Sequence, residues 1–278
     1  MQSCDKGIRF ASLRWRERPI TIEYQWVGEQ HPGVPVMVFL HEGLGSLSMW
    51  KDFPEQFCRR LGCRGLVFSR PGYGQSTARA ADERWPVHFM HDQAGEVLPL
   101  FFDAVGLPAA DPLPWFYGHS DGGSIALLYA ARHPRAVGGL IVAAPHIFVE
   151  EVSIASIRAT RDIYRSSSLK QRLARYHADP DSAFWGWNDV WLDPAFAVWN
   201  IEAELPQIVC PVLAVQGEDD EYGTLAQIRG IARALPATQL LVLPQCGHSP
   251  HRDQEDELCR HAGAFFESGK RPPGSRTN

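Results

Sequence analysis

The chain lacks the features that would place a protein in a membrane, outside the cell or on nucleic acid. Residues 1–10 contain no apolar run, so the sequence indicates no secretory signal. No apolar stretch is long enough to span a bilayer, and we expect no membrane partner. The net charge of −5 over 278 residues gives no basic excess, which argues against nucleic-acid binding. The sequence therefore predicts a cytoplasmic protein.

Cysteine is scarce and dispersed. None of the cysteines form a C-x-x-C pair, and they stand at Cys4, Cys58, Cys63, Cys210, Cys246 and Cys259. Reduced thiols are therefore expected, rather than a disulfide framework or a zinc site. The sequence predicts neither a metal nor a cofactor.

What the chain does contain is a series of short apolar runs that alternate with helical patterns. The strand candidates are 20–26, 36–40, 66–69, 113–117, 139–143, 211–215 and 238–243. The main helical patterns cover 91–105, 124–131, 224–234 and 253–266. This alternation predicts an α/β fold with a mostly parallel sheet and helices on both faces.

The segment 145–206 interrupts this alternation. It contains two helical patches, at 156–164 and 168–176, and then an irregular stretch rich in aromatic residues, with no strand pattern. The aromatic residues of that stretch are Phe184, Trp185, Trp187, Trp191, Phe196 and Trp199. We interpret the segment as a helical cap, or lid, inserted above the carboxyl ends of the strands.

The predicted domain organisation follows from this insertion. Residues 1–144 and 207–267 form the core, and the cap at 145–206 lies between them in the chain. The end of the chain, 268–278, is polar and contains glycine and proline, so we predict that it is disordered.

The run Gly-His-Ser-Asp-Gly-Gly at 118–123 is the strongest sign of chemistry. It follows a strand candidate and opens a helical pattern, which is the context of a nucleophile elbow. The turn is so sharp that side chains at 118 and 122 would collide with the backbone, and glycine occupies both positions. Ser120 is therefore the predicted nucleophile.

A serine hydroxyl needs a base that takes its proton, and the base needs a carboxylate that orients it. In this architecture the chain order is serine, acid, histidine. His248 follows a glycine in the loop after the last strand candidate, which favours it as the base. His251 is the competing histidine, and we expect it to lie in a loop or at the surface.

The acid is expected after the strand candidate 211–215, where four carboxylates stand in a row. The spacing Gly-x-x-Asp from Gly217 favours Asp220. Asp219 is the next alternative, followed by Glu218 and Glu221.

Acyl transfer also requires donors for the developing oxyanion. One is expected to be the backbone N–H of Asp121, which follows the serine. The other is expected from the loop after strand 36–40, with Gly43 the first choice and Leu44 the second. The carboxylate of Asp121 has two open roles, which are to bind a cationic group of the substrate or to hydrogen-bond the turn.

Together these residues resemble the α/β-hydrolase superfamily over roughly 20–267. The Ser-Asp-Gly-Gly run is similar to that of small carboxylesterases and biphenyl-hydrolase-like esterases. The resemblance implies an eight-stranded sheet, a helical cap and cofactor-free hydrolysis. Two positions depart from the superfamily pattern: Ser69 stands where an aspartate is common, and Glu42 stands in the oxyanion loop where His-Gly is common.

The sequence thus predicts a serine hydrolase that cleaves a small ester, amide or thioester through an acyl-enzyme. Trp185, Trp187 and Trp191 are expected to line the pocket for the small-molecule acyl substrate. Carbon–carbon bond hydrolysis or proline-type aminopeptidase activity on the same three residues is the alternative. A non-catalytic small-molecule binding protein is a more remote one.

Overall fold

The computed structural model describes residues 7–28, 31, 33–107 and 112–269. Its strands are β1 (Arg9–Trp15), β2 (Arg18–Gly28), β3 (Val36–Leu40), β4 (Arg64–Phe68), β5 (Trp115–His119), β6 (Gly139–Ala143), β7 (Val212–Gly217) and β8 (Gln239–Leu243). They form one eight-stranded sheet in the order β1-β2-β4-β3-β5-β6-β7-β8. Strand β2 pairs antiparallel with β1 and β4, and the other neighbours are parallel. The predicted α/β fold with a mostly parallel sheet is confirmed.

Ten α-helices belong to the described residues. They are α1 (Phe53–Leu61), α2 (Phe89–Asp92), α3 (Leu98–Val105), α4 (Asp121–Arg132), α5 (Glu151–Ser166), α6 (Leu169–Leu173), α7 (Pro180–Trp191), α8 (Ala226–Ala234), α9 (Pro250–Asp253) and α10 (Glu255–Gly269). A π-helical turn at Gln93–Val97 joins α2 to α3. No helix in this part of the chain combines the length and apolar character needed to cross a membrane.

The central strands are apolar throughout because helices cover both faces of the sheet. Successive side chains of β3 point to opposite faces. Met37 and Phe39 belong to the apolar cluster that includes α1 and α10. Val38 and Leu40 belong to the larger cluster that includes α3, α4 and α8. Each face therefore has its own core.

Strand β1 is the element that the sequence pattern missed. It lies at the edge of the sheet and pairs only with β2 among the described strands. Most of its residues are exposed or half-buried, and Arg9 and Arg14 interrupt its apolar character. An edge strand of this kind carries no continuous apolar run, which is the signal that identified the central strands.

The segment 145–206 folds mainly as α5, α6 and α7. Its described residues contribute no strand to the sheet, although an isolated bridge joins Phe148 to Asn200. The expectation that the aromatic stretch is irregular was wrong for its first part, which is α7. Asp179 caps this helix by accepting from the Ser182 amide at 2.9 Å, and Pro180 occupies its first turn.

The last helix continues beyond its predicted end. Helix α10 runs to Gly269, so Ser268 and Gly269, which were predicted to begin a disordered tail, are helical. The rest of that predicted tail, 270–278, lies outside the described residues.

A buried carboxylate organises the turn after β4, where Ser69 replaces the aspartate that is common in related sequences. Glu23 of β2 is 2% exposed and accepts hydrogen bonds from the Ser69 hydroxyl and, at 2.8 Å, from the Gln75 amide. The Ser69 oxygen in turn accepts from the Leu47 amide at 2.8 Å. The neighbouring strand thus supplies the carboxylate that position 69 lacks.

We expect Glu23→Ala to lower the free energy of unfolding by about 2–3 kcal/mol, because it leaves the buried Ser69 hydroxyl and the Gln75 amide without this acceptor. Urea denaturation measures this loss. Glu55→Ala is the matched control: its carboxylate is 56% exposed and pairs with Arg59 on the same helix, so the expected change is below about 0.5 kcal/mol. Equal stability of the two variants would contradict a structural role for Glu23.

Candidate active site

Ser120 stands at the junction of β5 and α4 in a strained backbone conformation. Its φ and ψ are 53° and −122°, and it is 6% exposed. A Cβ atom on Gly118 would lie 2.4 Å from the carbonyl oxygen of Gly122, and one on Gly122 would lie 2.1 Å from that of Leu40. Glycine at both positions is therefore required for the backbone to close this turn.

Three side chains that are distant in sequence meet at this turn. The Nε2 atom of His248 lies 2.9 Å from the Oγ of Ser120. Its Nδ1 atom lies 2.8 and 3.0 Å from the two carboxylate oxygens of Asp220. Because a carboxylate only accepts, Nδ1 carries the proton and Nε2 is free to accept from the serine hydroxyl.

Asp220 is held in place by donors on all sides. Its carboxylate accepts from the Tyr222 amide at 2.8 Å, the Gly223 amide at 3.2 Å and the Gln216 side chain at 2.5 Å. Burial acts to raise the pKa of Asp220, but the hydrogen bond and charge interaction with His248 outweigh it, so the pKa is lowered.

The other three carboxylates of this loop do not approach the imidazole of His248. Glu218, Asp219 and Glu221 are exposed. Glu221 accepts from the backbone amide of His248 at 3.2 Å, which holds the loop but does not contact the ring. The structure therefore brings together the first-choice serine, acid and histidine of the sequence analysis.

The competing histidine has a different position from the one expected. His251 is 3% exposed and lies in α9, so the expectation of a loop or surface residue was wrong. Its ring packs against Trp50 and His119, with ring centres 4.9 and 4.8 Å apart. Burial holds the pKa of His251 well below its ordinary value.

His41 holds the loop after β3 in place through hydrogen bonds at both of its ring nitrogens. Because a carbonyl oxygen only accepts, Nδ1 of His41 donates to Glu42 at 2.7 Å, and Nε2 accepts from the Arg70 amide at 3.0 Å. Burial lowers the pKa of His41 well below its ordinary value, in keeping with this neutral tautomer.

The amide groups expected to bind an oxyanion stand near the serine oxygen. Gly43, Leu44 and Asp121 all border the same cavity as Ser120. Within the described residues, the amides of Gly43 and Asp121 donate to no protein acceptor. Both amides are therefore available to a substrate oxygen, while the choice between Gly43 and Leu44 stays a prediction.

The side chain of Asp121 is already engaged inside the protein. It accepts from the Trp191 indole at 3.1 Å, and its second oxygen lies 3.8 Å from the Arg70 guanidinium. Burial raises the pKa of Asp121 to about 6, against the opposing effect of Arg70. The cation that this carboxylate faces is thus the protein's own arginine.

The cavity above Ser120 has a volume of about 110 Å³. Trp187 and Trp191 line it, as predicted, and Trp187 lies directly on Gly43, since a Cβ atom there would be 2.2 Å from the indole nitrogen. Trp185 does not line it. This residue packs against Tyr164 and Phe184 on the far side of the helix, which corrects its assignment to the pocket.

Sequence reasoning missed six other residues of the cavity wall. They are Glu42, His119, His146, Ile157, Tyr222 and Ser249. His146 directly follows the β6 turn, a position from which side chains reach the carboxyl edge of the sheet. That position is the signal that the sequence offers.

A serine in a sharp strand-to-helix turn, with an imidazole and a carboxylate in line at the carboxyl edge of a parallel sheet, defines a hydrolase of the α/β class. The chain belongs to the α/β hydrolase family, whose model matches residues 37–261. Comparison with individual proteins agrees with this membership.

The human protein named serine hydrolase BPHL is 24% identical over 276 residues, covering 94% of this chain and 88% of that protein. A 2-hydroxy-6-oxononadienedioate/2-hydroxy-6-oxononatrienedioate hydrolase of Comamonas testosteroni is 23% identical over 260 residues, covering 84% and 88%. A carboxylesterase structure from Nitrososphaera gargenis superposes with a TM-score of 0.74 at 18% identity, covering 93% and 98%. That last likeness shows the fold alone.

The buried imidazole of His146 is expected to make the stability of the fold depend on pH. Burial, with a smaller contribution from His248, lowers its pKa to about 3, against 6.5 for the ordinary group. Between these values the unfolded chain binds more protons than the folded one. The stabilisation is therefore complete above the unfolded pKa and is lost as the pH falls toward the folded pKa.

We expect the unfolding free energy of wild type to fall as the pH is lowered from about 7.5 to about 5. In His146→Phe this fall is expected to be smaller by about 2 kcal/mol. Urea denaturation at the two pH values measures it. His41 keeps its own contribution in both proteins, so the difference isolates His146. An equal fall in unfolding free energy in the two proteins would show that His146 titrates alike in the folded and unfolded states.

Proposed function

We propose that the protein is a serine hydrolase that cleaves a small ester, amide or thioester through an acyl-enzyme. The observation that carries this proposal is the line of contacts from Asp220 to His248, at 2.8 Å, and from His248 to Ser120, at 2.9 Å. Those distances are within reach for proton transfer without movement of the backbone.

In the first half of the reaction, the Oγ of Ser120 attacks the substrate carbonyl carbon while its proton passes to Nε2 of His248. The carbonyl oxygen gains the electron pair and accepts from the amides of Gly43 and Asp121. When the tetrahedral intermediate collapses, the bond to the leaving group breaks and His248 gives it the proton.

In the second half, water replaces the leaving group. His248 removes a proton from the water, and the hydroxide attacks the acyl carbon. The ester bond to Ser120 breaks, the serine oxygen recovers the proton, and the carboxylic acid departs. Asp220 keeps the Nδ1 proton in place and stabilises the imidazolium in both halves.

The substrate class follows from the size and lining of the cavity. Its volume of about 110 Å³ is smaller than the roughly 300–1,000 Å³ of sites for drug-sized ligands, which supports a short acyl group. Ile157, Trp187 and Trp191 of the 145–206 segment form apolar walls. We propose that this segment acts as the lid of the site and selects the substrate.

Carbon–carbon bond hydrolysis is the second candidate. The Comamonas relative carries the name of such a substrate, and it aligns with 84% of this chain. The same serine, histidine and aspartate serve either reaction, so the choice depends on which acyl group the lid admits. A screen of short-chain nitrophenyl esters beside a vinylogous diketone separates the two, since strong turnover of the diketone alone would replace the esterase proposal.

We expect Ser120→Ala to fold normally and to lose both ester hydrolysis and labelling by a fluorophosphonate probe, because no other hydroxyl occupies its position. Mass spectrometry of the intact protein measures the label. Ser124→Ala is the matched control, since its hydroxyl is buried one turn further along α4 and bonds to the backbone of His146. Equal labelling of wild type and Ser120→Ala would refute Ser120 as the nucleophile.

We expect Trp187→Ala to shift the preferred substrate toward esters with a longer acyl chain, because it removes one wall of the cavity. The ratio of kcat/KM for hexanoate to that for acetate is expected to rise by about tenfold. Trp185→Ala is the control, because its ring does not border the cavity. An unchanged ratio in Trp187→Ala, or an equal shift in both variants, would contradict the role of Trp187.

A further inference from the structure

We propose that His119 is a positioning residue that fixes the loop carrying His248, so that the base reaches Ser120. This inference rests on the proposed function. In the motif G-x-S-x-G, His119 occupies the first variable position, which the sequence analysis left without a role. The structure places its imidazole between the loops that supply the base and the oxyanion donors.

The central contact is between the ring of His119 and the backbone of His248. Nε2 of His119 lies 2.7 Å from the carbonyl oxygen of His248. Because that oxygen only accepts, the Nε2 atom carries a proton and donates it. The side chain of His119 is 1% exposed, so water does not compete for this bond.

Two other side-chain contacts hold the backbone of this loop next to the base. The amide of Gly247 donates to Asp253 at 3.0 Å and the amide of His248 donates to Glu221 at 3.2 Å, and both of these contacts are exposed. The bond from His119 is a buried side-chain contact to the backbone of His248, whereas Asp220 holds the ring. Loss of the bond from His119 would leave the ring bonded to Asp220 but the backbone at His248 held by an exposed side-chain contact, which is individually weak.

The ring of His119 is itself held in a defined orientation. It packs against His251 and His248, with ring centres 4.8 and 5.1 Å apart, and lies 6.3 Å from the ring of Trp50. His119 is the last residue of β5, where it pairs with Ala143 of β6, and Ser120 follows it directly in the chain. The imidazole thus connects the backbone of His248 to the end of a central strand.

The second ring nitrogen links the arrangement to the oxyanion loop. Nδ1 of His119 has no hydrogen-bond partner among the described residues, but it faces a carboxylate oxygen of Glu42 at 3.6 Å. The other oxygen of Glu42 lies 3.5 Å from the guanidinium of Arg252. The departure of Glu42 from the superfamily pattern therefore places a carboxylate where it meets both His119 and the helix that follows the base.

Three substitutions at one position test the donor. In Gln the amide nitrogen falls near the place of Nε2, whereas in Asn it falls near the place of Nδ1, and Phe keeps the ring without a donor. We expect His119→Phe and His119→Asn to lower kcat by about 10- to 100-fold with KM nearly unchanged, since a small displacement of a catalytic group has that effect. We expect His119→Gln to retain most of the wild-type kcat.

The rate of fluorophosphonate labelling supplies a readout that a merely structural role would not move. It depends on activation of Ser120 by His248, so it is expected to fall in parallel with kcat for Phe and Asn and to recover for Gln. Thermal unfolding of each variant accompanies it. If Phe does not fold, the comparison of Gln with Asn, which are both polar and neutral, decides the question.

The proposal is overturned if kcat and the labelling rate of the folded Phe variant stay within about twofold of wild type, or if Gln and Asn lose activity equally. His88→Gln, at a side chain that is 58% exposed, is the control for the substitution itself. Failure of wild type to label at Ser120 would refute the proposed function. Normal labelling of wild type and of His119→Phe would refute only the role of His119.

Discussion

The backbone turn at Ser120 is the constraint on which the rest of the site depends. Its positive φ lifts the hydroxyl above the carboxyl edge of the sheet, and it closes only because residues 118 and 122 have no side chains. The same close approach brings the end of β3, at Leu40, against the start of α4. The turn at Ser120 therefore also fixes the position of the loop that carries Gly43.

The surroundings of the site give similar side chains opposite properties. Burial is the largest influence on the pKa of both Asp121 and Asp220, and it raises the pKa of Asp121. For Asp220 the opposing hydrogen bonds and charges, those of His248 first, together outweigh burial and lower the pKa. One aspartate is therefore suited to stay a structural acceptor for Trp191, while the other stays ionised beside the imidazole. The role of each carboxylate is decided by its neighbours rather than by its type.

The segment 145–206 borders the cavity with a few large apolar side chains. Trp187 and Trp191 are four residues apart and lie on the same face of α7, while Trp185 is rotated by about 200° from Trp187 and faces away. Helix rotation thus determines which tryptophans a substrate meets. In our proposal, the sheet and its loops supply the chemistry, whereas the segment 145–206 limits the size of the acyl group.

The pattern of apolar runs determined the central strands, and motif spacing determined which serine, aspartate and histidine to bring together, because both signals lie within one short stretch of chain. The tertiary structure decided what no local pattern records. It added β1 at the exposed edge, replaced the missing carboxylate at Ser69 with Glu23 from another strand, buried His251, and turned Trp185 away from the cavity. Each of these outcomes depends on packing between elements that are distant in sequence, and a local signal carries no information about such partners.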